Sequence, residues 1–224
     1  LIFGLPNQTV EMLDYSVSRA LELGLPHYSI YSLKVEENTL FHTLYHKNQL
    51  PLPSEEEELN MYLRLMERMD KAGYKQYEIS NFAKPGFASR HNITYWKNED
   101  YYGLGAGAHG YVGRTRHVNI KGVNPYVEAA KTGLPRLEQF DVSREEAMED
   151  FVMVGLRMLD GIRKADFRGQ FGEDLDDVFN RQLTKMLSAG LLEPHSDGEG
   201  YRLSKQGVLF GNEVFAEFIG VLTE

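Results

Sequence analysis

The sequence predicts an α/β fold built on parallel strands, followed by an α-rich, winged-helix-like domain. Three observations predict it. Apolar runs over Leu1–Leu5, Tyr28–Leu33 and Tyr74–Ser80 alternate with helical periodicity, the pattern of right-handed βα units. From Ser143 onward the periodicity is helical and is interrupted once by a hairpin signal. Between the two lies a segment dense in Gly, His, Asn and aromatic residues that carries neither period, where functional groups tend to collect.

Leu1 to Leu5 is a continuous apolar run closed by Pro6, as expected of a strand buried on both faces. Thr9 stands where an N-cap would. Val10, Leu13, Val17, Ala20 and Leu21 recur at helical spacing, and Gly24 marks the end. Tyr28–Leu33 is the second strand. Ser54 heads the acidic run Glu55–Glu58, whose charges favour a helix N-terminus, and Leu59, Tyr62, Leu63, Met66 and Met69 give that helix its apolar stripe. Gly73 ends it, and Tyr74–Ser80 is the third strand. After Ser80 the regular pattern stops. Pro85-Gly86 marks a turn, and a short helix follows Asn124-Pro125 as far as Lys131.

Ser143 and Glu146 form a capping box for a helix carrying Met148, Phe151, Val152, Gly155 and Leu159. A short helix is expected over Lys164–Phe171 and a stronger one over Asp174–Ala189. Leu191–His195 and Tyr201–Ser204 flank Asp197-Gly198-Glu199-Gly200 as a hairpin. A last helix is expected from about Gly207 to Leu222. The expected division is therefore residues 1–80, an irregular cofactor-site or crossover segment over 81–140, and a winged-helix-like domain over 141–224.

Composition bounds the chemistry. The chain of 224 residues has no cysteine and a net charge of −9. The missing thiols exclude a disulfide framework and any thiolate-held cluster on this chain. The acidic balance opposes a nucleic-acid partner. From Asp141 onward acidic residues outnumber basic ones about two to one, so a lid or docking module is expected there rather than a duplex-binding one. No apolar run is long enough for a membrane span and no signal peptide is visible, and the absence of cysteine fits a cytoplasmic protein. The chain opens on Leu1, inside a core-strand pattern. The expectation is a fragment lacking an upstream half, with an uncovered strand edge that invites self-association.

Gly105-Ala106-Gly107-Ala108-His109-Gly110 matches G-x-G-x-x-G, but no helix follows it, so a dinucleotide site is rejected. A Gly-rich turn that lets backbone approach a neighbour or ligand is the better reading, with His109 pointing at whatever lies there. His91 has two readings: an imidazole ligand, including an axial heme ligand, or a side chain that only hydrogen-bonds a long loop. Tyr95, four residues on, shares its face if the segment is helical. His42 and His46 are also four apart and are expected to face solvent. No tight set of three histidines suggests zinc, and no nucleophile elbow, P-loop or metalloprotease motif occurs.

Four motifs in order carry a family resemblance. They are Leu1-Ile2-Phe3-Gly4-Leu5-Pro6-Asn7-Gln8-Thr9, Tyr77-Glu78-Ile79-Ser80-Asn81-Phe82-Ala83-Lys84-Pro85-Gly86, His91-Asn92-x-x-Tyr95-Trp96, and Gly103-x-Gly105-x-Gly107-Ala108-His109. Together they resemble the oxygen-independent coproporphyrinogen III oxidase family of radical S-adenosylmethionine proteins, over the whole chain. The true dehydrogenases carry a Gly-Met-Asp-His-Phe-Ala-type sequence where this chain has Glu78-Ile79-Ser80-Asn81-Phe82-Ala83. The match is thus to the heme-chaperone branch, in which His-Asn-x-x-Tyr is associated with heme. The resemblance implies a partial (β/α) barrel and a role in binding heme and passing it to acceptor proteins. The alternative is oxidative decarboxylation of coproporphyrinogen III. It further implies heme contact by His91, as iron ligand, with Asn92 and Tyr95, and an S-adenosylmethionine pocket reached by Ser32 and His109. Tyr95, Trp96 and Phe82 would offer apolar faces to the ring. The family's [4Fe–4S] cluster sits on a Cys-x-x-x-Cys-x-x-Cys loop that this chain lacks, so no catalytic residue is assigned on it.

Overall fold

A computed structural model describes residues 1–223 and contains two compact units, Leu1–Ser89 and residue 90 onward. In the first unit β1 (Ile2–Phe3), α1 (Val10–Glu22), β2 (His27–Ser29), β3 (Tyr31–Ser32), α2 (Leu40–His46), α3 (Glu55–Lys71), β4 (Lys75–Glu78) and β5 (Asn81–Ala83) follow in order. Thr9 caps α1 by accepting from Met12 N at 3.3 Å, and Ser54 and Glu57 form a reciprocal capping box on α3. Leu13 and Val17 of α1 pack with Met61, Leu65 and Met69 of α3 onto Phe3, Tyr28, Ile30, Tyr74 and Phe82. Asp14 also ties the two helices together. It accepts from Arg64 Nε at 3.0 Å and Arg68 Nη1 at 3.0 Å.

The chain is mixed α/β, but little of its sheet is parallel. Among the described residues only β1 and β3 pair that way, Ile2 with Tyr31 and Phe3 with Ser32. The second expected strand is divided at Ile30, which donates its N–H to Ser80 O at 2.8 Å. The third stops at Glu78 and doubles back into β5, so β2, β5 and β4 form an antiparallel sheet. The cause is local. The Glu78 carboxylate is fully buried, and its Oε1 accepts from Ser80 N at 3.0 Å and from the Asn81 amide, closing the turn. No closed barrel forms among the described residues. α2 was not foreseen because it buries no side chain and so leaves no apolar stripe to read.

The second unit opens with α4 (Arg90–Trp96), β6 (His109–Val112), β7 (Thr115–Asn119), α5 (Val123–Ala130) and β8 (Arg136–Asp141). The stretch that reads as irregular therefore holds two helices and an antiparallel meander, β6-β7-β8. Its strands carry Arg, His, Asn and Gln in place of a clean apolar alternation, which hid them. Then come α6 (Arg144–Gly155), β9 (Ile162–Arg163), α7 (Lys164–Phe171), α8 (Leu175–Val178), α9 (Asn180–Ser188), β10 (Leu192–Pro194), β11 (Gly200–Leu203), α10 (Lys205–Leu209) and α11 (Gly211–Ala216). The Ser143–Glu146 capping box and the Leu192–Leu203 hairpin are formed as read. β9 adds to the free side of β11.

Two helices are shorter than their periodicity suggests. Phe179 leaves helical geometry at φ −112° and separates α8 from α9, because its ring is fully buried against Phe167 and Phe218 at 6.0 and 5.7 Å. The last helix ends at Ala216. Beyond it the buried Glu149 carboxylate accepts from Gly220 N at 2.8 Å and Leu222 N at 2.6 Å, so those N–H groups turn inward.

The first unit has a titratable member. His27 Nε2 lies 2.9 Å from Tyr77 Oη, and burial holds its imidazole below the ordinary value of 6.5 against an opposing pull from Glu78. The fold therefore favours the neutral ring. This contribution to stability is present above about pH 6.5 and is lost as pH falls through the lowered value. His27→Gln is expected to flatten that part of the pH profile of urea unfolding. An unchanged slope would contradict the assignment.

Candidate functional site

α4 lays His91 and Tyr95 on one face, because residues four apart in a helix are neighbours. His91 Nε2 and Tyr95 Oη are 2.8 Å apart, and the rings meet edge to face at 4.7 Å. The helix is held at its end: Asn98 takes a positive φ of 52°, and its side chain donates to Ala147 O at 3.4 Å. Tyr95 in turn meets Tyr101 edge to face at 4.4 Å, and Tyr101 lies 6.5 Å from Tyr111. A ladder of rings thus runs from the exposed His91 inward to Tyr111, which is 3% exposed.

The ladder is fixed through the backbone. Tyr101 and Tyr111 exchange both amide bonds, Tyr101 N to Tyr111 O at 2.7 Å and the return bond at 2.9 Å. The loop they close is the Gly-rich turn. Asn119 Nδ2 donates to Gly103 O and Gly105 O, each at 3.0 Å, and Gly105 N donates to Tyr126 Oη at 3.2 Å. Two of its glycines are required sterically. A Cβ on Gly103 would sit 2.4 Å from His109 O, and one on Gly110 would sit 2.0 Å from His117 Cε1. The glycine repeat therefore serves backbone-to-backbone and backbone-to-ring packing, with no phosphate cradle in it.

Charge surrounds the buried end of the ladder. Arg116 stands over the Tyr111 ring at 5.5 Å and bonds Asp150 at 2.5 Å. Burial pushes the Asp150 carboxyl up, partly offset by Arg116. Burial likewise raises the Tyr101 and Tyr111 phenols, so both stay protonated at neutral pH. Tyr111 Oη is buried without a hydrogen-bond partner.

The expected site residues are distributed as follows. The structure brings His91 and Tyr95 together, and half-buried Asn92 adjoins His91 on the same helix. His109 opens β6, is exposed, and stands opposite Val118 of β7. Ser32 belongs to the first unit, on β3, where its exposed hydroxyl donates to Glu58 Oε1. Phe82 cannot offer a face to any ligand, because it is 1% exposed in the core of the first unit. The Trp96 ring has Arg157 stacked on it at 4.6 Å. Sequence reasoning missed Tyr101, Tyr111 and Arg116, although the Tyr101-Tyr102 pair beside the glycine repeat was a usable signal. Among the described residues no three His, Cys, Asp or Glu side chains gather as a metal cage. A single exposed imidazole suits an iron whose other in-plane ligands come with it, as in a porphyrin.

Fold and site together define a mixed α/β protein in which an exposed imidazole projects from a short helix braced by a glycine turn. Comparison with known proteins narrows this. Residues 142–210 match the HemN C-terminal domain. Over 99% of its length the chain is 45% identical to the heme chaperone HemW of Bacillus subtilis, covering 58% of that protein. It is 32% identical to the heme chaperone HemW of Escherichia coli over 98% of the chain and 56% of the relative. A solved structure of coproporphyrinogen III oxidase (HemN) from Escherichia coli, described as a radical SAM enzyme, shares the fold. The TM-score is 0.74 at 18% identity, over 97% of this chain and 53% of that one. The resemblance carried by the four motifs holds: the chain is similar to heme chaperones over nearly all of its length and to the HemN C-terminal domain over residues 142–210. It spans little more than half the length of these relatives.

Gly110→Ala is expected to destabilise the second unit by about 1–3 kcal/mol, since a Cβ there would meet the His117 ring at 2.0 Å and Gly103 N at 2.7 Å. Urea unfolding checks this, and a variant as stable as wild type would refute the close packing.

Proposed function

We propose that this chain is the heme-handling part of a heme chaperone, binding heme through His91 and releasing it to acceptor proteins. The observation that carries the reading is the His91–Tyr95 pair. It is an exposed imidazole on a braced helix with a phenol 2.8 Å from its Nε2. A metal-bound imidazole uses its second nitrogen to fix ring orientation through a hydrogen bond. With Nε2–H donated to Tyr95 Oη, Nδ1 is the nitrogen left for iron. With the other tautomer Tyr95 donates and must swing aside. Tyr102 and Leu104, 75% and 85% exposed just after Tyr101, supply apolar surface of the kind a porphyrin face covers. Relatives of high similarity are named heme chaperones, which supports the reading. The likeness of fold to coproporphyrinogen III oxidase keeps porphyrinogen oxidation as the alternative activity.

Several finer assignments belong to this reading. Residues 1–80 form the later part of a partial (β/α) barrel, 81–140 the cofactor-side segment, and 141–224 a C-terminal domain of winged-helix type. The order β9, α7, α8, α9, β10, β11 with β11 central supports that last assignment. The residues present do not fit a [4Fe–4S] cluster, because the chain has no thiolate to offer. Among the described residues no helix is long and apolar enough to cross a membrane. Leu1, Ile2 and Tyr31, 42–48% exposed beside the short parallel pair, support self-association of this chain. Ile2→Lys should then lower the mass seen by light scattering at high concentration. A monomeric wild type would end that idea.

Heme titration followed at the Soret band tests the main proposal. Wild type should give a saturable shift. His91→Ala should abolish it, and Tyr95→Phe should weaken binding roughly ten- to a hundredfold, as loss of an orienting partner does. A shift that survives His91→Ala moves the ligand elsewhere. No saturable shift in wild type overturns the chaperone reading for this chain.

A further inference from the structure

α2 presents two histidines four residues apart, and they are turned toward each other. His42 Nε2 and His46 Nε2 lie 3.0 Å apart, with ring centroids at 4.4 Å and planes at 77°. The helix under them is pinned. Thr39 caps it by accepting from His42 N at 3.1 Å, its carbonyl accepts from Thr43 Oγ1 at 3.2 Å, and Asn48 closes the end at a positive φ of 53°. Tyr45 stands edge-on to His46 at 5.8 Å. His46 is exposed and His42 half-exposed, so both rings are open to solutes.

Two neutral imidazoles at this separation have two uses. One is an N–H···N hydrogen bond, which is worth little in water. The other is chelation. Two nitrogens bound at about 2.1 Å to one metal stand about 3.0 Å apart at a right angle, and about 3.4 Å apart at a tetrahedral angle. The observed spacing matches the right angle of square-planar and tetragonal sites. We propose that His42 and His46 form a two-nitrogen chelate for Cu(II) or Ni(II), with water completing the coordination. Zinc binds there more weakly, both by angle and by the order of affinities of divalent metals. The site does not rest on the heme reading: α2 belongs to the first unit and His91 to the second.

The test is a Cu(II) titration of the chain in a non-coordinating buffer, followed by calorimetry and electron paramagnetic resonance. Wild type should bind one equivalent at the pair, with splitting from two nitrogens. His42→Ala and His46→Ala should each weaken that site roughly tenfold or more and leave one-nitrogen splitting. His91→Ala should leave it unchanged. Far-UV circular dichroism checks the helix in each variant, and His46→Gln replaces His46→Ala should the helix be lost. Titrations unmoved by either α2 substitution, or lost only in His91→Ala, overturn the proposal and leave the pair as a hydrogen bond.

Discussion

The two amide bonds exchanged by Tyr101 and Tyr111 are the constraint on which the second unit's site depends. They clip the chain leaving α4 onto the start of the meander. Tyr101 can then lie against Tyr95 while its own backbone is anchored at a buried tyrosine. Without that clip α4 is a seven-residue helix, too short to hold a conformation by its own hydrogen bonds. The glycine turn follows from the same clip. Bringing residues 101–103 against 109–111 leaves no space for side chains at Gly103 and Gly110, and Asn119 gathers the carbonyls left inside.

This arrangement has a chemical consequence. A ligand-bearing imidazole on a loop would sample many orientations, and ordering it on binding would cost affinity. Here the ring is already held by Tyr95, Tyr95 by Tyr101, and Tyr101 by the backbone of β6. His91 nevertheless stays exposed. An accessible, pre-oriented ligand suits capture and release of a cargo better than permanent enclosure, which needs a deep pocket. The further copper-type pair on α2 shows the same principle on a simpler scale: helical spacing alone aligns two nitrogens.

Much of this was legible in the sequence, and the parts that were not share a cause. Capping residues announce themselves through their own side chains, so Thr9, Ser54 and Ser143 marked three helix starts accurately. The apolar stripes of α1 and α6 marked their core faces, whereas on α3 Leu59 and Leu63 of the expected stripe are exposed and Met61 and Leu65 are buried with Met69 instead. Direction of pairing is not encoded locally. The reversal at Glu78 depends on one buried carboxylate closing a turn, and a strand running toward it reads the same whether it continues or folds back. The break at Phe179 comes from tertiary packing that overrides an unbroken helical period. The His-Asn-x-x-Tyr motif was readable as a pair sharing a face. Its support by Tyr101 and Tyr111 was not, because that support is a long-range strand contact. Phe82 illustrates the converse: an aromatic beside a motif belonged to the core.

The most direct measurement is resonance Raman spectroscopy of the heme-loaded chain prepared with ¹⁵N-labelled histidine. Ligation by His91 predicts an iron–histidine stretch that shifts with the label in wild type and is absent in His91→Ala. Tyrosinate modes in place of that band, or a labelled band that persists in His91→Ala, would contradict it.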